Sequence, residues 1–72
     1  MTEPRPNIIL QGGPMESEPT HLRVRYLQDC TDRYKLFLGN RYEHFEPSAE
    51  TVSFGGDDLR VFIWTRRTYV AE

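Results

Sequence analysis

Asp58-Leu59-Arg60-Val61-Phe62-Ile63-Trp64-Thr65-Arg66 is the stretch whose reading decides the fold. Successive side chains of a strand point to opposite faces, so Leu59, Val61 and Ile63 share one side and Phe62 and Trp64 the other. A strand that is apolar on both faces belongs inside something: between two layers, in a small barrel, or across a subunit interface. It fixes a fold class and names no reaction.

Upstream of it, Glu50-Thr51-Val52-Ser53-Phe54 reads as a strand and Gly55-Gly56-Asp57-Asp58 as its turn. A four-residue loop there sets Phe54 opposite Leu59, Val52 opposite Val61 and Glu50 opposite Ile63. The result is an apolar patch that a one-residue slip would scatter. Another hairpin precedes it. Residues 33–38 and 41–46 flank Gly39-Asn40, a two-residue connection suited to a type II′ turn. That turn puts Leu38 opposite Arg41, Leu36 opposite Glu43 and Tyr34 opposite Phe45 on one face. On the other, Phe37 meets Tyr42, Lys35 meets His44 and Arg33 meets Glu46, and Pro47 ends the strand.

Nearer the N-terminus, Asn7-Ile8-Ile9-Leu10-Gln11 is a short β-branched run stopped by Gly12-Gly13-Pro14. Residues 15–20 read as a polar loop. Residues 21–27 alternate, with Leu22, Val24 and Tyr26 on one face and Arg23 and Arg25 on the other, which predicts a half-buried strand. Residues 28–32 form an Asx- and hydroxyl-rich turn. Residues 1–6, with two prolines, form a loose tail ahead of one domain at 7–72. The expected class is mostly β: a small antiparallel sheet or barrel of about five or six hairpin-built strands with little or no helix.

Seventy-two residues make one domain with a marginal core, since a chain this short buries only about 60% of its unfolded surface. A lone cysteine, Cys30, rules out an internal disulfide and fits a reducing, cytoplasmic setting. With neither disulfide nor zinc to staple it, such a scaffold completes its core by association, which points to a homo-oligomer or a larger partner. The net charge of −2 arises in residues 1–20, whereas residues 21–72 balance eight basic against eight acidic side chains. That neutrality argues against a general polyanion binder. No apolar run approaches the ~18 residues of a membrane span.

Chemistry-bearing groups are densest in Tyr42-Glu43-His44-Phe45-Glu46. His44 could act as a base oriented by Glu46 or Tyr42, which share its face, whereas Glu43 points to the other side. A histidine packed among aromatics is the plainer account. His21 reads as exposed, and no two histidines and carboxylates have ligand spacing on one face, so no metal and no cofactor is expected. Cys30 lies between Asp29 and Asp32, whose charge disfavours a thiolate nucleophile. The glycine pairs lack the helix and lysine of a phosphate loop and read as turns. Arg60, Phe62, Trp64, Arg66 and Thr68 share a face by alternation, an aromatic–arginine surface fit for a partner protein, an aromatic ligand or single-stranded nucleic acid.

Gly12-Gly13-Pro14, Tyr42-Glu43-His44-Phe45, Glu50-Thr51, Phe62, Trp64-Thr65 and Arg67-Thr68 together resemble a family of small uncharacterised actinobacterial proteins. The resemblance implies a setting near natural-product biosynthetic genes and supplies no catalytic residue. Three functions follow as expectations. One is an accessory interaction protein of such a pathway, anchored by Trp64 and Arg66. Another is a cofactor-independent cyclase or isomerase with His44 as base at a dimer interface, where Arg60 or Arg66 holds an anionic group. The last is a sheet-surface nucleic-acid binder, which the neutral charge opposes.

Overall fold

Residues 5–70 are described by a computed structural model, so most of the expected tail, residues 1–4, lies outside the described residues. Five strands form one open sheet: β1 (Ile8–Gln11), β2 (Val24–Arg25), β3 (Tyr34–Leu38), β4 (Arg41–Phe54) and β5 (Asp57–Tyr69). Their spatial order is β2-β1-β5-β4-β3. The mostly-β class is as the sequence implied, and the sheet does not close into a barrel. One pairing is of a different kind: β1 runs parallel to β5, with Ile9 beside Val61 and Leu10 beside Phe62. β5 is therefore central, which is why its sequence is apolar on both sides.

The Gly39-Asn40 hairpin has the expected register from Tyr34–Phe45 to Leu38–Arg41. Gly39 takes φ 62° and Asn40 does not enter the left-handed region, as a type II′ turn requires. The second hairpin differs from expectation. Gly55 and Gly56 both have positive φ, 58° and 87°, and close a two-residue turn, so Asp57 and Asp58 pair with Phe54 and Ser53 as strand residues. Val52 consequently faces Leu59, not Val61. Pro47 does not end the strand either. β4 continues through it with a bulge, where residues 48–50 stand opposite Val61 and Ser48 Oγ donates to the Val61 carbonyl at 2.7 Å. A proline without an N–H is tolerated at such a break in the ladder.

Residues 21–27 are a third difference. The segment Thr20–Arg23 forms one helical turn, α1, and only Val24 and Arg25 join the sheet, against Ile9 and Ile8. The Leu22 N–H donates to the Pro19 carbonyl at 3.0 Å, so local bonding captures the first half of the alternating run. Leu22 and Tyr26 are about half exposed as a result. Asn7 then extends the β1–β2 ladder with its side chain: Nδ2 donates to the Leu27 carbonyl and Oδ1 accepts from the Leu27 N–H.

Two apolar clusters lie on opposite faces. Ile8, Leu10, Met15, Phe45 and Phe62 form the larger, flanked by Leu27, Cys30, Tyr34, Leu36 and Trp64. Ile9, Leu59 and Val61 form the smaller, with Val24 and Phe54 beside them. Each fully enclosed large side chain contributes about 2 kcal/mol.

Candidate functional site

A single bulge organises the chemistry. Phe45 pairs with Trp64 and His44 with Arg66, so Thr65 has no opposite number. Its hydroxyl donates to the His44 carbonyl at 3.2 Å. The extra residue breaks the alternation of β5: Phe62 and Trp64 share the face of Phe45, while Arg66 and Thr68 share the face of His44 and Tyr42. The Arg60–Thr68 row that simple alternation implies is thus divided between two sides of the sheet.

On the larger-cluster side, Glu43 has no accessible surface. Arg41 Nε donates to its Oε2 at 2.6 Å and Arg67 Nε to the same oxygen at 2.7 Å. The Trp64 indole N–H donates to Oε1 at 2.8 Å. Desolvation pushes the Glu43 carboxyl up, but the bonds from Arg41, Trp64 and Arg67 outweigh it and hold the group below its ordinary value. The same bond holds the Arg67 guanidinium above its ordinary range. Trp64 is in turn covered by Gly13, the first residue of the Gly13–Met15 turn. A Cβ on Gly13 would lie 2.5 Å from the indole Cγ and Cδ1, and Gly13 has φ 58°, so the position demands glycine twice over. The buried carboxylate is thus compensated within the chain, by two guanidiniums that stand partly exposed at the surface.

The sequence candidates distribute accordingly. Phe62 is fully buried, Trp64 is half-buried beneath Gly13, and Arg60 reaches toward the Cys30 carbonyl on that same side. Only Arg66 of the four lies exposed, on the opposite face. His44 Nε2 is 2.8 Å from Thr68 Oγ1, so its partner is a hydroxyl, and Glu46 makes no bond to it among the described residues. Tyr42 packs against Phe37, ring centres 4.9 Å apart and planes tilted by 40°, with the Lys35 ammonium 5.5 Å from the Tyr42 ring centre. His44 and Tyr42 therefore share a face without forming a carboxylate-oriented base. Cys30 is half-buried against the larger cluster, and His21 is exposed.

Glu43 was missed as a key residue by sequence reasoning, although a signal existed. The first hairpin's register places a carboxylate between Tyr34, Leu36 and Phe45 on the apolar face, and a buried charge there needs partners.

Two concavities stand out among the described residues. A cleft of 540 Å³ is lined by Gln11, Gly12, Glu16, Arg23, Glu50 and Ile63, a mixed-charge set whose Arg23 Nε is engaged by the Leu10 carbonyl. A smaller recess of 280 Å³ is lined by Asp32, Arg33, Lys35, His44 and Arg66. Lys35, His44 and Arg66 occupy one row across three adjacent strands. Among the described residues no group of three or more His, Cys, Asp or Glu is placed to hold a metal ion.

No curated protein and no solved structure matches the chain. The model of a family of unknown function (DUF5988) matches residues 2–72, and the chain belongs to that family.

Proposed function

We propose that the protein is a small accessory subunit that docks onto a larger protein, in the actinobacterial natural-product setting that the sequence resemblance implies. The observation that carries this reading is the exposed Phe37–Tyr42 aromatic pair beside an open sheet edge. Phe37 is 55% exposed and Tyr42 37%, on the face away from the larger cluster. β3 ends the sheet order, so its outer backbone donors and acceptors have no strand partner. An added strand would satisfy that edge, and exposed aromatics are favoured interface anchors.

Charge selects the occupant. Lys35 lies on β3 and Arg33 immediately before it, and neither forms an ion pair among the described residues. An extended segment of a partner with carboxylates at alternate positions would satisfy edge and charge together. A second copy of β3 would add its own Arg33 and Lys35 to the same side. The contact thus moves from Trp64, which is covered by Gly13, to the Phe37 side of the sheet.

The test is native mass spectrometry of the protein isolated gently from its host, followed by hydrogen exchange of any complex. A partner held by the wild type, protecting β3 amides and lost in Phe37→Asp with unchanged circular dichroism, supports the reading. A partner that survives Phe37→Asp, or a mass that is only a multiple of the subunit, overturns it.

A further inference from the structure

We infer that the recess between β3, β4 and β5 is a binding site for a single oxyanion group, a phosphate or a carboxylate, clasped by Arg33, Lys35, His44 and Arg66. It shares Arg33 and Lys35 with the docking edge proposed above but needs no partner protein, since the group can be free in solution. The register sets Lys35 beside His44 and His44 beside Arg66, on strands about 4.8 Å apart. Arg33 immediately precedes β3 and lines the same recess. Lys35 and Arg66 flank His44 two strands apart, so their positive charges stand on one face with only an imidazole between them unless another group neutralises them.

Nothing internal does so. Among the described residues, the ion pairs are Arg5–Asp57, Arg41–Glu43 and Arg67–Glu43, and none involves Arg33, Lys35 or Arg66. Asp32 is the recess's one acid, and its Oδ1 already accepts the Arg33 backbone N–H at 2.8 Å. Three cations against one engaged carboxylate leave the recess with a positive balance. His44 is held by Thr68 at 2.8 Å. When the Thr68 hydroxyl donates to Nε2, the imidazole proton resides on Nδ1, which is left as a donor.

Guanidinium forks match phosphate and carboxylate oxygens bidentately, and an ammonium adds a point charge. The recess of 280 Å³ suits one such group and not a drug-sized molecule. Arg66 reaches it because Thr65 bulges out of the ladder, since a Thr65 paired in strict alternation would keep Arg66 beside Trp64.

The experiment is an NMR titration of the intact chain, following the His44 ring and Arg66 side-chain resonances. Inorganic phosphate is added in one arm and succinate in the other, with sodium chloride holding ionic strength constant. Saturable shifts are expected, and Arg66→Gln or Lys35→Gln should weaken binding about tenfold, the order of one charge-assisted hydrogen bond. Arg5→Gln removes the same charge near the opposite end of β5, beside Asp57, and should leave affinity unchanged. Tighter binding of phosphate identifies a phosphoryl ligand, and tighter binding of succinate a carboxylate. Shifts that never saturate, or equal affinity in Arg66→Gln and Arg5→Gln, would overturn the site.

Discussion

Glu43 and His44 are consecutive residues on β4, yet they face two different electrostatic situations. On the Glu43 side, a fully buried carboxylate meets two guanidiniums and an indole N–H, and the polar atoms there are satisfied within the chain. On the His44 side, Arg33, Lys35 and Arg66 converge with no ion partner among the described residues. The buried carboxylate is met inside the chain, whereas the cations of the recess are left to solvent or to the oxyanion proposed above. The two sides therefore respond oppositely to mutation.

Glu43→Ala should give the largest effect, a loss of about 3 kcal/mol in urea unfolding. That is the low end for breaking a buried pair, because both guanidiniums are partly exposed and can turn to water. Glu43→Gln adds a pH signature. The native carboxyl is depressed, so its contribution is full above the ordinary value of about 4.3 and is lost as pH falls through the lowered native value. The stability gap between wild type and Glu43→Gln should thus narrow on acidification below about pH 4. A gap that stays constant would remove Glu43 from the charged state assigned to it.

Gly13→Ala should cost about 2 kcal/mol, since the new methyl meets the Trp64 ring and the residue has positive φ. A neutral outcome in thermal melts would mean that the turn can slide off the indole. Deleting Thr65 should cost only about 1 kcal/mol. The deletion turns the bulge into a regular ladder that still pairs Arg66 with His44 and Arg67 with Glu43. Loss of dispersed NMR resonances in that variant would show that the bulge's twist is itself required. The smallest effect carries the opposite sign. Arg66→Glu should stabilise by about 0.5 kcal/mol by relieving the cationic row, read as a raised urea midpoint.

How much of this was legible in the sequence depends on where the chain is locally determined. Gly39-Asn40 leaves one hairpin geometry, and every pairing from Tyr34 to Phe45 followed from it. Gly55-Gly56 is equally tight, but the acidic Asp57 and Asp58 look like loop residues until the two positive-φ glycines are seen to close the turn alone. Alternation over residues 21–27 also misled, because a helical turn after Pro19 competes locally with pairing that only Ile8 and Ile9 could offer. Both bulges were invisible, since an extra residue in a ladder leaves no compositional trace. The Thr65 bulge alone decides whether Arg66 stands with Trp64 or with His44. The fold class survived these slips, because β5 is apolar on both sides in any register. The candidate site did not, because it depends on parity.

The Gly13–Trp64 contact has an optical consequence. Trp64 is the chain's only tryptophan. Its ring lies beneath Gly13 and its N–H on Glu43, both on the side away from His44 and Arg66. Intrinsic fluorescence is therefore a built-in gauge of whether the Glu43 side is closed. It should change sharply when that side opens in acid or denaturant and stay dark to whatever binds across the sheet.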